Sequence, residues 1–224
     1  MRNVPARFRL MLLGLITATL LLGTAREARA DYEFALSVGY AHISLDGSAA
    51  PFDDRDGVRV EPRFTFGVSD EIPQLRLAAA IGFSGYSRTR DDDGDDFVVI
   101  DDEVFFIDTD DEESLSLITP EFQVSWRQSL DADKRWFIEP GVAVGVVIAN
   151  YWVGDRWGWY YDEDVDEWDA TIAGRPFLRA GYQADHWLIG LEASYLFGGQ
   201  LDFTDDINGD VEEFYAGVFF GGRW

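Results

Sequence analysis

The chain has no cysteine among its 224 residues, so no disulfide framework can staple it. Basic residues are scarce: 18 Lys and Arg stand against 42 Asp and Glu, a formal charge of −24. Phosphate backbones are gripped by clustered cations, so nucleic acid is not expected as a partner. Long apolar runs are missing beyond the first thirty residues. A transmembrane helix needs about 20 such residues, so any membrane crossing by the rest of the chain must be made by strands.

What is present begins with a leader. Arg2, Arg7 and Arg9 precede an apolar core over residues 10–23, and Ala28-Arg29-Ala30 has the small-x-small form of a cleavage site. Residues 1–30 are thus expected to be a signal peptide, with Asp31 first in the mature chain. Five arginines leave with it against Glu27, which puts residues 31–224 at −28. That length suits one domain.

Eight runs of period-two alternation follow, near 32–41, 58–68, 75–84, 118–126, 136–148, 172–182, 187–197 and 214–224. In the first, Tyr32, Phe34, Leu36, Val38 and Tyr40 share one face, while Glu33, Ala35, Ser37, Gly39 and Ala41 share the other. Such runs read as strands with two unlike faces. Short connections lie near 69–74, 128–134 and 183–185, and long ones near 46–57, 90–113, 154–169 and 198–210. Short turns at one end and long loops at the other suit an antiparallel up-and-down barrel in a membrane.

Alternation alone fits a soluble barrel too, with the apolar face inward. Two features argue the reverse. Large apolar side chains crowd one face of all eight runs, too many for a narrow bore. The other face is small at mid-strand: Ala78, Ala80, Gly82, Gly141, Ala143, Gly145, Gly217 and Gly221. That face also carries Glu33, Glu61, Glu121, Glu139 and Glu192 with Arg59, Arg63, Arg76, Arg175, Arg179 and Arg223. Surface ions of a soluble sheet are the plainer reading of these charges. Their partition onto one strand face favours an ion network filling a lumen, where buried charges must be paired. Aromatics sort by height as membrane girdles do: Trp126, Trp136, Tyr182, Trp187 and Trp224 near the short turns, Tyr40, Phe83, Tyr195, Phe197 and Phe214 toward the long loops. Pro62, Pro120, Pro140 and Pro176 fall inside the runs. Each removes a ladder donor, so bulges are expected there.

The leader, the eight runs and the terminal Phe220-Gly221-Gly222-Arg223-Trp224 resemble the small bacterial outer-membrane barrels of the opacity-protein, OmpX and OmpA-transmembrane type. The resemblance covers the mature chain as pattern rather than as a diagnostic motif. It implies an all-β, eight-stranded antiparallel transmembrane β-barrel in the outer membrane of a Gram-negative-type envelope. It also implies that Phe220 and Trp224 belong to the signal read by the outer-membrane assembly machinery, with lipid and lipopolysaccharide as neighbours. It does not fix an activity.

Candidate sites lie mainly in the long connections. Asp91, Asp93 and Asp95 in one, and Asp205, Asp206 and Asp210 in another, could gather Ca²⁺ weakly, but neither has EF-hand spacing. Solvated acidic loops are the plainer reading. Phe97, Ile100, Phe105 and Phe106 belong to two short apolar arms around Asp101-Asp102-Glu103, which read as a hairpin offering a surface to an extracellular ligand. Trp157, Trp159 and Tyr160 sit among acids, as sugar-stacking or partner-binding aromatics do; loop packing explains them equally. His42 and Ser44 share a face, an arrangement similar to that of lipid A deacylases, but no acid partner is evident. His186 falls in a short turn and reads as structural. No catalytic residue is assigned, and no cofactor beyond a weakly held divalent cation. The expected function is a non-catalytic barrel for surface interaction or envelope integrity. The alternative is a narrow channel for small solutes, which unpaired like charges along the lumen would favour.

Overall fold

A computed structural model describes residues 32–46, 55–69, 71–90, 96–100, 103–107, 111–155, 165–203 and 208–224. The leader lies outside the described residues. Eight long strands are present: β1 (Tyr32–Asp46), β2 (Arg55–Ser69), β3 (Ile72–Arg90), β6 (Asp111–Trp126), β8 (Trp136–Asp155), β9 (Val165–Gln183), β10 (Trp187–Asp202) and β11 (Asn208–Arg223). Each pairs antiparallel with its neighbours in chain order, and β1 pairs with β11, closing the sheet on itself. The seam is sealed at the chain end, where Tyr32 and Trp224 exchange both backbone hydrogen bonds at 3.0 Å. Two shorter strands, β4 (Asp96–Ile100) and β5 (Glu103–Ile107), form a separate hairpin. The two-residue β7 (Gln128–Ser129) pairs with the start of β8. The protein is a closed, antiparallel, eight-stranded β-barrel.

The strands run further than the alternating runs suggest. Residues 55–57, 111–113, 165–169 and 198–202 were expected in long connections and instead continue the ladders. Exposed positions there include Asp56, Glu167 and Asp202, with Trp168 the apolar exception, so apolar alternation fades while strand pairing persists. Backbone hydrogen bonds hold a strand whichever face is apolar.

The expected bulges at the prolines are absent. Pro62, Pro120, Pro140 and Pro176 stay in register with one neighbour each: Leu36, Ile81, Leu178 and Val142 respectively. Pairing lapses on the other side only, toward β3, β8, β6 and β10, and resumes in the same register. In an antiparallel ladder each residue's N–H faces a single neighbour, so a missing donor opens one side without displacing the strand. The two register shifts in the barrel lie elsewhere, at 67–69 and 197–200.

The large apolar side chains point outward. Val142, Val144, Ile172, Leu191, Val218 and Phe220 are each more than half exposed. An isolated soluble sheet would leave this apolar belt in water; a bilayer covers it. Trp126, Trp136, Trp187 and Trp224 ring one end of the belt, where Tyr182 lies 5.1 Å from Trp136 and 5.5 Å from Trp187. Tyr40, Phe83, Tyr195, Phe197 and Phe214 ring the other.

Candidate functional site: a filled lumen and an outer polar cluster

The inward face is charged over the half of the barrel nearer the short turns. Six arginines and six glutamates are buried on the inward face among the described residues, Arg59, Arg63, Arg76, Arg127, Arg175 and Arg179 with Glu33, Glu61, Glu121, Glu139, Glu192 and Glu213, the last standing higher, level with Ile43 and Leu196. Arg175 is central. It meets Glu61 and Glu121 at 2.6 Å, Glu192 at 3.2 Å and the Ser194 hydroxyl at 3.0 Å. Arg179 joins Glu192 at 2.8 Å and Glu139 at 3.1 Å, and donates to the Gln123 carbonyl at 2.7 Å. Arg63 reaches Glu192 at 2.8 Å, and Arg59 reaches Glu213 at 2.8 Å and Thr119 at 2.8 Å. Arg76 approaches Glu33 at 3.8 Å, and the partly exposed Arg223 lies 4.0 Å from the same carboxylate.

Two members of this network lie beyond the expected set. Arg127 bridges Glu33 and Glu139 at 2.6 Å each. Glu213 takes Arg59 and the Tyr86 hydroxyl, both at 2.8 Å. Period-two counting reaches them: Arg127 is two residues past Ser125, and Glu213 two before Tyr215. They fall between the expected runs and connections because the apolar partner face stops beside them.

The small inward residues make room for these side chains. A Cβ at Gly82 would overlap the Arg59 guanidinium and the Thr119 hydroxyl, and one at Gly141 would overlap the Phe177 ring. Inward aromatics then face the guanidinium planes: Arg179 stands 3.9 Å above Phe177 and Arg127 4.3 Å above Phe137. Such stacking is favourable where water is excluded.

Toward the long connections the inward face becomes apolar. Ile43, Leu45, Leu115, Leu117, Val147 and Leu196 form part of one buried cluster with Tyr86, Tyr151, Leu201 and Val211. The lumen therefore holds an ionic layer and, above it, a mostly apolar one into which Glu213 is set.

On the outer wall, His42 Nδ1 lies 2.8 Å from Asp56 Oδ1, and the Tyr40 hydroxyl donates to the same carboxylate. The His42 and Tyr40 rings stack at 6.4 Å. The acid partner missing from the sequence reading is thus Asp56. It was assigned to a loop, but β2 starts at Arg55 and sets Asp56 opposite His42. Asp56 is shared by two donors, which ties β1 to β2 at the outer end of the wall.

The remaining candidates are placed as follows. Phe97 pairs with Phe106, Val98 with Phe105 and Ile100 with Glu103 along the β4–β5 backbone. Asp210 is exposed on β11. Asp91, Asp93, Asp95, Asp205, Asp206, Trp157, Trp159 and Tyr160 lie outside the described residues. Among the described residues no group of three or more His, Asp or Glu side chains is arranged to hold a metal ion. Phe220 and Trp224 are exposed on the outward face. His186 caps the last turn, its carbonyl accepting from the Arg223 N–H at 3.1 Å.

Comparison with solved structures agrees with this architecture. Neisserial surface protein A shares 11% identity over 87% of this chain and 99% of its own, with a TM-score of 0.53. A major outer membrane protein from Thermus thermophilus shares 10% identity over 87% of this chain and 99% of its own, with a TM-score of 0.51. The chain has the fold of the small bacterial outer-membrane β-barrels. At such identities the likeness is one of fold. No protein-family model and no curated protein sequence matches the chain.

Proposed function

We propose that this protein is a non-catalytic outer-membrane barrel, exported by its leader, that serves surface interaction or envelope integrity through its outer end. The observation that supports this is the filled lumen. Twelve buried charges balance six against six, and above all of them but Glu213 lies a mostly apolar layer. An ion crossing such a bore would have to break several buried pairs and then enter a dry layer, each step costing several kcal/mol. Contact with the outside is left to the outer wall and the acidic connections, including the β4–β5 hairpin. Lipid and lipopolysaccharide surround the wall, and the assembly machinery reads the terminal strand with Phe220 and Trp224. Divalent cations gather weakly at the acidic runs.

Planar-bilayer recording of the purified protein tests the reading. No steady conductance is expected. A stable pore whose current scales with salt would replace this proposal with the narrow-channel one.

A further inference from the structure

The chain holds a single lysine, Lys134, in the short connection that leads into β8; its other long cationic side chains are all arginine. The backbone at Lys134 is unusual as well. Its φ is 55°, and among the described residues no other, glycine included, has a positive φ. An L side chain is disfavoured there, and glycine or asparagine is the usual occupant. The turn fixes this conformation from both sides. The Lys134 N–H donates to the Asp131 carbonyl at 3.2 Å, and its own carbonyl accepts from the Gln183 side-chain amide at 2.7 Å. A residue held in a disfavoured conformation by its surroundings directs attention to what its side chain faces.

Lys134 lines an open cavity of about 450 Å³ at the short-turn mouth of the barrel, together with Asp133, Arg135, Tyr182, Asp185 and Arg223. The charges here differ from those of the lumen. There, each buried guanidinium meets at least one carboxylate. At the mouth, none of Asp133, Lys134, Arg135 and Asp185 forms an ion pair among the described residues. Arg135 instead donates to the Tyr182 hydroxyl at 3.3 Å. That bond, with the fields of Asp133 and Asp185, raises its pKa. Three cations and two carboxylates thus border one space, which suits a small group carrying both signs of charge. Tyr182 also joins this space to the membrane wall, because its ring belongs to the girdle beside Trp136 and Trp187. Such rings sit where hydrocarbon meets headgroups.

We propose that this cavity binds the headgroup of a phospholipid in the leaflet on the short-turn, periplasmic side, with ethanolamine phosphate as the preferred chemistry. Lys134 and Arg223 take the phosphate, one as a mobile point charge and the other as a planar fork. Asp133 and Asp185 take the ammonium, and Arg135 stays tied to Tyr182 at the rim. The acyl chains leave over Tyr182, between Trp136 and Trp187. A soluble phosphate ester would share the polar contacts but make no use of the girdle. The site lies at the end opposite the surfaces assigned to outside contact, so it stands independently of that reading.

Native mass spectrometry of the folded protein in detergent reads retained lipid directly. Short-chain phosphatidylethanolamine, phosphatidylcholine and phosphatidylglycerol would be offered separately at matched concentrations. The ethanolamine lipid should bind roughly tenfold more tightly than the others, because choline has no N–H to donate and glycerol carries no cation. Lys134→Gly removes the ammonium while suiting the turn. Its heat-dependent gel shift should persist, and its retention of the ethanolamine lipid should fall roughly tenfold. Asp133→Asn combined with Asp185→Asn should erase the preference for ethanolamine over glycerol. Equal retention of the three lipids, or a K134G variant that binds like the parent, would overturn the site. Displacement of the lipid by an equal concentration of free phosphoethanolamine would overturn a lipid as its ligand.

Discussion

Replacing Arg175 with Met would withdraw one cation from the centre of the ion network. Its guanidinium touches three carboxylates, those of Glu61, Glu121 and Glu192. The balance of six against six then becomes an excess of one negative charge with no water to screen it. Not all partners are stranded: Glu61 keeps Arg59 at 3.1 Å, and Glu192 keeps Arg63 and Arg179 at 2.8 Å. Glu121 loses most, retaining Arg59 at 3.3 Å. Removing one partner of a buried pair costs about 3–5 kcal/mol, and Glu121 is the group that bears this loss. The double variant R175M/E121Q restores neutrality and should recover more than half of it. Urea unfolding in lipid vesicles, followed by tryptophan fluorescence and by the heat-dependent gel shift of the folded barrel, measures both variants. If R175M alone loses less than about 1 kcal/mol, a figure typical of exposed ion pairs, the lumen is hydrated and the closed-bore argument fails.

Val144→Arg places a charge on the outward apolar belt and should destabilise the barrel in bilayers by about 2–4 kcal/mol, whereas the inward Ala143→Ser should be mild; equal tolerance would reverse the assignment of faces. Intact-mass analysis of the protein from a native envelope should give a chain beginning at Asp31, and a retained Met1 would overturn the export reading. Proteolysis within 91–110 should slow in millimolar Ca²⁺ more than in NaCl of equal ionic strength, because carboxylate-rich runs bind divalent ions directly. Equal protection by NaCl would reduce the effect to screening.

Much of the barrel is determined locally. Strict alternation such as Phe34, Leu36 and Val38 against Ala35 and Ser37 specifies a two-faced strand, and eight such runs with short and long connections in turn specify the antiparallel order. Alternation also partitions Glu61, Glu121 and Arg175 to one face, since each face needs only its own period. The ends of the strands were not legible in this way. Where outward and inward positions exchange polarity, as at Ile148 and Asn150 or Phe214 and Glu212, the apolar signal vanishes although the ladder continues. Asp56 therefore reads as a loop residue, and Arg127 and Glu213 fall outside every run. Their partners, His42, Glu33 and Arg59, lie 14, 94 and 154 residues away in the chain. Pairing of β1 with β2 brings the first together, and only closure of the barrel brings together the other two, because side chains remote in sequence meet across a bore whose width the pairing of β1 with β11 decides. The prolines teach the same lesson. A missing N–H is a local fact, but whether it bends the strand or merely opens one side of a ladder depends on the neighbour that holds the other side.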